Sequence, residues 1–190
     1  MNKFNAVNQG HRDRLFVALE LSEETKRCLL DLSSFFPGIK WVTIKNLHLT
    51  LRFIGSVPSE HAELIRQALH NVSCGSFNLT IAGLGLYQRE IGDVLWARVN
   101  TDPNLIKLRK QIDERLQSSA GLRPEKNDFS PHITLSRLRK SASPSLKNLI
   151  HEKAAEHFCE TPITDFTLFR SLLRQSGAIH ESLERYRLNS

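Results

Sequence analysis

The stretch Arg14-Leu15-Phe16-Val17-Ala18-Leu19-Glu20-Leu21 is short and almost continuously apolar, which predicts a buried strand. Ser22 then offers a helix N-cap, and Glu23 and Glu24 put negative charge in the first turn. Leu29, Leu32, Phe35 and Phe36 give this helix an apolar stripe, which Pro37-Gly38 stops. Leu47 to Ile54 alternates with period two and predicts a strand that Gly55 ends. Pro58 opens a second helix through Val72, with Ile65, Leu69 and Val72 on one face. Phe77 to Leu86 is a third strand, where Gly83 and Gly85 indicate a bulge.

The pattern then begins again. Val94 to Val99 is a strand. Pro103 opens a helix over 103–119, with Leu105, Leu108, Ile112 and Leu116 on one stripe. Pro131 to Leu138 is a strand with proline at its tolerated first position, and 145–158 is helical with a weaker stripe. Phe166 to Leu173 and His180 to Leu188 form a closing hairpin around Ser176-Gly177. The order strand, helix, strand, helix, strand thus occurs twice, a duplication of pattern with pseudo-repeats of about 14–90 and 91–190. The fold class is α+β: two similar lobes, each an antiparallel-rich sheet with helices outside, facing one another across a central cleft. Residues 1–13 are read as a flexible tail and 14–190 as a single bilobal domain.

Composition excludes several classes. The hydrophobic fraction is 40% and the charged fraction 24%, ordinary for a globular chain and wrong for a disordered or collagenous one. No apolar run reaches the ~18 residues of a membrane helix, and the polar start lacks a secretory signal core. Cys28, Cys74 and Cys159 are odd in number, far apart and without a CxxC pair, which fits buried thiols in a reducing cytoplasm. The net charge of +6 is uneven: residues 1–95 carry 10 Lys/Arg against 9 Asp/Glu, and residues 96–190 carry 16 against 11. A basic second half suits a polyanion such as RNA as well as a solubilising surface, and no long Lys/Arg run marks a DNA-coating protein.

One local identity marks the duplication: His48-Leu49-Thr50-Leu51 and His132-Ile133-Thr134-Leu135, each on the central strand of its half. With 8 His, 9 Thr and 28 Leu in 190 residues, about 0.06 matches to His-x-Thr-Leu are expected by chance, so two are not an accident of composition. Side chains alternate along a strand, so His48 and Thr50 share one face and Leu49 and Leu51 the other; the same holds for His132 and Thr134. If the lobes face each other, two imidazoles and two hydroxyls converge. A histidine titrates near neutrality, so one ring can serve as base while the other serves as acid. Together with hydroxyl donors for non-bridging oxygens, these are the parts that in-line displacement at a phosphodiester requires.

Other candidates are weaker. No His-x-x-x-His or His-Glu-x-x-His spacing exists and no carboxylate adjoins either histidine, so metal-free chemistry without a cofactor is expected. There is no P-loop and no Gly-x-Ser-x-Gly elbow. Arg52 shares the parity of His48 and Thr50, so it reaches either the cleft or solvent. Phe53, by parity, belongs to the core. Trp41 and Trp96 are core or cleft wall. His61, His70, His151 and His157 lie on predicted helices, His11 in the tail, and His180 starts a strand without an assigned role.

The chain resembles the 2H phosphoesterase superfamily, and within it the bacterial RNA 2′,3′-cyclic phosphodiesterases, also called 2′-5′ RNA ligases, the LigT-like family. The matching stretches are Arg14 to Leu19, Asn46 to Gly55, Pro131 to Arg137 and Thr164 to Phe169. The resemblance implies hydrolysis of a terminal 2′,3′-cyclic phosphate to a 2′-phosphomonoester. His48 would be proton donor to the leaving oxygen and His132 proton acceptor from water. Thr50 and Thr134 would hold the phosphate. Arg137 matches a phosphate-contacting arginine, although strict alternation puts it on the leucine face unless the strand ends or twists by then. Phe53 matches an aromatic position near the base site. The expected partners are RNA ends or nucleotides with a 2′,3′-cyclic phosphate, with no metal or membrane, and the protein is read as a monomer. Formation or cleavage of 2′-5′ linkages and non-catalytic RNA binding are the alternatives.

Overall fold

The two motif strands lie side by side at the centre of one eight-stranded antiparallel sheet. A computed structural model describes residues 12–125, 128–175 and 177–189. Its elements run β1 (Arg12–Glu20), α1 (Glu23–Asp31), β2 (His48–Pro58), α2 (Ser59–His70), β3 (Phe77–Tyr87), β4 (Val94–Val99), α3 (Pro103–Ala120), β5 (His132–Arg137), α4 (Pro144–Glu152), β6 (His157–Ile163), β7 (Asp165–Arg174) and β8 (Gly177–Arg187). The sheet order is β6-β3-β4-β5-β2-β1-β7-β8. Most of the tail expected over 1–13, including His11, lies outside the described residues, as does Ser176; Arg12 and Asp13 already belong to β1.

The lobes are not the two chain halves. The first βαβαβ unit keeps β1 and β2 together and gives β3 to the other lobe; in the second half β6 stays at the edge of the lobe of β4 and β5, and the next strand, β7, crosses. β3 leaves β1 and β2 to pair with β4, and β7 leaves β4 and β5 to pair with β1. β2 and β5 meet at a single bridge, Leu49 opposite Ile133, and then diverge. The wedge between them is filled from both sides. Val42 N donates to Leu135 O at 2.8 Å along β5, and Glu125 Oε1 accepts from Phe53 N at 3.2 Å along β2.

Local chemistry explains the helices. Ser22 caps α1 by accepting from Thr25 N at 3.1 Å. Asp102 accepts from Asn104 N and Leu105 N at the start of α3, Pro103 takes the first turn, and Gly121 ends the helix with φ +65°. Leu105, Leu108, Ile112 and Leu116 are fully buried, as the 3-4-4 spacing predicts. They join Leu49, Leu51, Ile133 and Leu135 in one core on the helix side of the sheet.

Several expected boundaries change, among them the start of the last strand, at Gly177 rather than His180. The first helix stops at Asp31 and continues as a 3-10 turn, Leu32–Phe35. β2 passes through Gly55 to Pro58, because Gly55 at φ +86° absorbs a bulge opposite Leu15 and Phe16. The helix expected over 145–158 ends at Glu152, and His157, read as helical, begins β6. β6 is an edge strand, where Pro162 costs no ladder bond that matters and the hydrophobic alternation is weak.

Candidate active site

Both motifs present their histidines in the same way. His48 Nδ1 lies 2.7 Å from Asn46 O and His132 Nδ1 lies 2.8 Å from Ser130 O, in each case the carbonyl two residues upstream. A carbonyl only accepts, so Nδ1 carries the proton and Nε2 of each neutral ring is left as a lone pair. The Thr50 hydroxyl donates to His48 Nε2 at 3.1 Å. Leu49 and Ile133 are fully buried towards the helices, so the antiparallel register puts His48 opposite Thr134 and Thr50 opposite His132 on the other face. The structure thus brings together the four expected motif side chains.

A β-bulge interrupts each strand just past its motif. Between Ala18 and Val17 of β1, β2 advances two residues, from Thr50 to Arg52; between Trp96 and Leu95 of β4, β5 advances from Thr134 to Ser136. Each bulge inverts the parity of the residues beyond it. Arg52 therefore enters neither cleft nor solvent. It is 5% exposed on the helix side, bonded to Arg123 O and paired with Asp113 at 3.3 Å and Glu125 at 3.6 Å. Its counterpart Ser136 is buried, donating to Lys40 O at 2.8 Å. Phe53, expected in the core, is 61% exposed and 6.2 Å from the Phe16 ring on the cleft side. Arg137 is turned to the cleft side as well, the twist that its expected role requires. Its charge reaches His48 and His132 alike.

The sheet curls strongly enough to bring β8 over β2. Three strand spacings would separate His48 from His180 by about 14 Å in a flat sheet. Their ring centroids are instead 5.3 Å apart, and Asn46 Nδ2 donates to Ala178 O at 3.0 Å across the same closure. Phe16, Phe169 and His180 thereby enclose His48, with Phe16 at 5.2 Å. Burial pushes the His48 pKa down to about 4, the Asn46 carbonyl opposes this, and His180, Arg137 and His132 add to it. His132 is lowered too, by burial first and then by Arg137 and Arg89, against the pull of the Ser130 carbonyl.

His132 has its own aromatic wall. Tyr87 lies 5.1 Å away edge-on and stacks on Trp96 at 5.1 Å, with its hydroxyl 3.2 Å from Ser130 Oγ. The indole can lie flat over β3 because Gly85 has no side chain: a Cβ there would fall 2.2 Å from the ring. Trp96 is thus cleft wall, whereas Trp41 packs against the main core. Arg98 lies over Trp96 at 5.9 Å and, like Arg137, makes no ion pair among the described residues. An open cavity of about 590 Å³ extends from this wall past Arg98, Asn100 and Ser130.

Comparison with known proteins agrees with this geometry. The profile of the 2′-5′ RNA ligase superfamily matches residues 37–174, which include both motifs. The chain belongs to the 2′-5′ RNA ligase superfamily. Among superfamily members, the RNA 2′,3′-cyclic phosphodiesterase of Archaeoglobus fulgidus is 31% identical over 90% of this chain and 97% of its own. That of Aeropyrum pernix is 31% identical over 76% and 84%. The crystal structure of Escherichia coli LigT superposes with a TM-score of 0.77 at 26% identity, covering 95% of this chain and 100% of LigT. LigT has also been solved with 3′-AMP and with phosphate. The superfamily fold is therefore this one, an α+β structure with a curled antiparallel sheet and four helices.

The residues around the two motifs that the sequence pattern leaves out are His180, Tyr87 and Arg98. Tyr87 and Arg98 carry a weak signal, since each ends up on the face of its strand opposite the buried Leu84, Ala97 and Val99. His180 carries none, because only the curl of the sheet delivers it. His61, His70, His151 and His157 are exposed and away from the motifs. Among the described residues there is no group of three His, Cys, Asp or Glu able to hold a metal, and no helix long and apolar enough to cross a membrane.

Proposed function

We propose that the protein hydrolyses the terminal 2′,3′-cyclic phosphate of RNA to a 2′-phosphomonoester, without a metal or cofactor. The observation that carries this reading is the matched pair of Nδ1–H···O=C bonds, which turns both Nε2 atoms away from the backbone on one face of two adjoining strands. The activity of the Archaeoglobus and Aeropyrum relatives supports the substrate. His132 Nε2 takes a proton from water as the water oxygen attacks phosphorus. His48 Nε2 gives a proton to the 3′ oxygen as its bond to phosphorus breaks. Thr50 and Thr134 donate to the non-bridging oxygens, and Arg137 offsets the charge that develops there. In the free protein His48 is neutral at pH 7. An anion in the cleft raises its pKa, and the burial that disfavours a lone imidazolium strengthens its pairing with phosphate.

The test is incubation with nucleoside 2′,3′-cyclic phosphates in excess EDTA. The 2′-phosphate should form, and His48→Ala and His132→Ala should each lose about 10²- to 10⁴-fold in kcat in variants that remain folded. An unimpaired His132→Ala enzyme, or activity abolished by EDTA, would refute the reading. Because both imidazoles titrate below the ordinary 6.5 in the free protein, the bell of kcat/KM should lie on the acid side of that value. The bell of kcat, which reports the phosphate-bound protein, should lie at higher pH.

The cavity beside His132 favours a second reaction at the same site. It is lined by Trp96, Arg98 and Ser130, and the indole and the guanidinium suit a nucleoside and a phosphate. A 5′-hydroxyl of a second RNA entering there would replace water and yield a 2′-5′ linkage. Product analysis with paired RNA halves distinguishes the two.

A further inference from the structure

His180 is a third imidazole at the cleft, and its hydrogen bonding is the reverse of the other two. His48 and His132 each fix their proton on Nδ1 through a carbonyl. His180 Nδ1 is enclosed without a partner among the described residues, whereas its Nε2 is neither enclosed nor bonded. A proton on Nδ1 would be desolvated with no acceptor, so the neutral ring holds its proton on Nε2. Of the three imidazoles, only His180 offers an N–H donor to the cleft while uncharged. Packing does not account for it, since a phenylalanine would fill the space 4.9 Å from Phe16 with no orphaned nitrogen.

We propose that His180 binds the substrate, its Nε2–H donating to a phosphate oxygen of the RNA end held between His48 and Arg137. This rests on the cyclic-phosphate reading. The groups facing the ring are His48 from β2, Phe16 from β1 and Arg137 from β5, with Ser171 opposite it on β7. Its neighbour Glu181 is held by Arg170 at 2.7 Å. None of these accepts the Nε2 proton, so the donor stays available to the ligand. Burial and the charge of Arg137 both lower the pKa of the ring and so favour its neutral form.

His180→Phe keeps the ring packing and removes the donor, and His180→Gln sets an amide N–H near the position of Nε2. The Phe variant should raise KM for a nucleoside 2′,3′-cyclic phosphate roughly ten- to hundredfold, with both limbs of the pH profile in place, and the Gln variant should recover most of the loss. A Phe variant with wild-type KM overturns the proposal, and so does a Gln variant as impaired as the Phe variant. Imidazole ¹⁵N spectra read the tautomers without turnover: Nε2–H is expected at His180 and Nδ1–H at His48 and His132, and Nδ1–H at His180 refutes the assignment. If the wild-type protein turns over no cyclic phosphate, the substrate reading fails by itself. Titration with inorganic phosphate then still decides on the donor, which a stationary His180 Nε2 resonance would exclude.

Discussion

Phe53 and Arg137 occupy the same place in the two lobes: each lies five residues beyond its motif histidine, just past a bulge that returns it to the cleft. The duplication has kept the backbone device and changed what it presents. On the β2 side the device delivers an apolar ring beside Phe16, and on the β5 side a cation without an ion pair among the described residues. The site is two-fold in its strands and one-sided in its chemistry. One end suits a nucleobase or sugar, the other an anionic oxygen.

Arg137→Ala should therefore do two separable things. Loss of a charge-assisted bond to phosphate should raise KM about 10- to 100-fold. Arg137 also lowers the pKa of His48, His132 and His180, so its removal raises all three. The kcat/KM bell should move to higher pH in the variant. A KM change with a stationary profile would mean that the guanidinium does not share the cleft with the imidazoles.

His48 links acidity to folding. Its folded pKa, about 4, lies below the 6.5 of an exposed histidine, so the unfolded chain takes up the proton first as pH falls. Stability should be complete above about 6.5 and drop by about 3 kcal/mol towards pH 4 through this residue alone. Denaturant unfolding of wild-type and His48→Gln proteins in phosphate-free buffer measures it. The variant should lose less stability over that window, and parallel curves would show that His48 titrates normally.

Arg52 should matter for folding and hardly at all for chemistry. It shares Asp113 and Glu125 with Arg109 beneath the β2 bulge. Arg52→Met leaves the two carboxylates with one cation. The cost should be about 2 kcal/mol, below that of a fully buried pair because both carboxylates are partly exposed. Chemical denaturation reads it, and kcat at saturating substrate should stay within about twofold of wild type.

The strands and helices that carry the site were legible because their signals are local. Ser22, Pro103 and the leucine stripe of the third helix act within a turn or two, and the His-x-Thr alternation acts within one strand. Arg52 and Phe53 depart from their expected faces for a definite reason. Parity counting assumes an unbroken pleat, and the bulge opposite Ala18 and Val17 is a property of two strands rather than one. β6 leaves little trace in the sequence because an edge strand needs little alternation. His180 leaves none because its closeness to His48 depends on the curvature of four strands together.

The exchange of β3 and β7 between lobes also governs how the molecule comes into being. While the chain leaves the ribosome, β1 and β2 exist before anything can cover the outer edge of β1, along which Leu15, Phe16, Val17 and Ala18 wait for β7. The aromatic enclosure of His48 closes only when the final hairpin arrives. A chain shortened by those last strands would leave the outer edge of β1 bare and the His48 ring without Phe169 and His180 beside it.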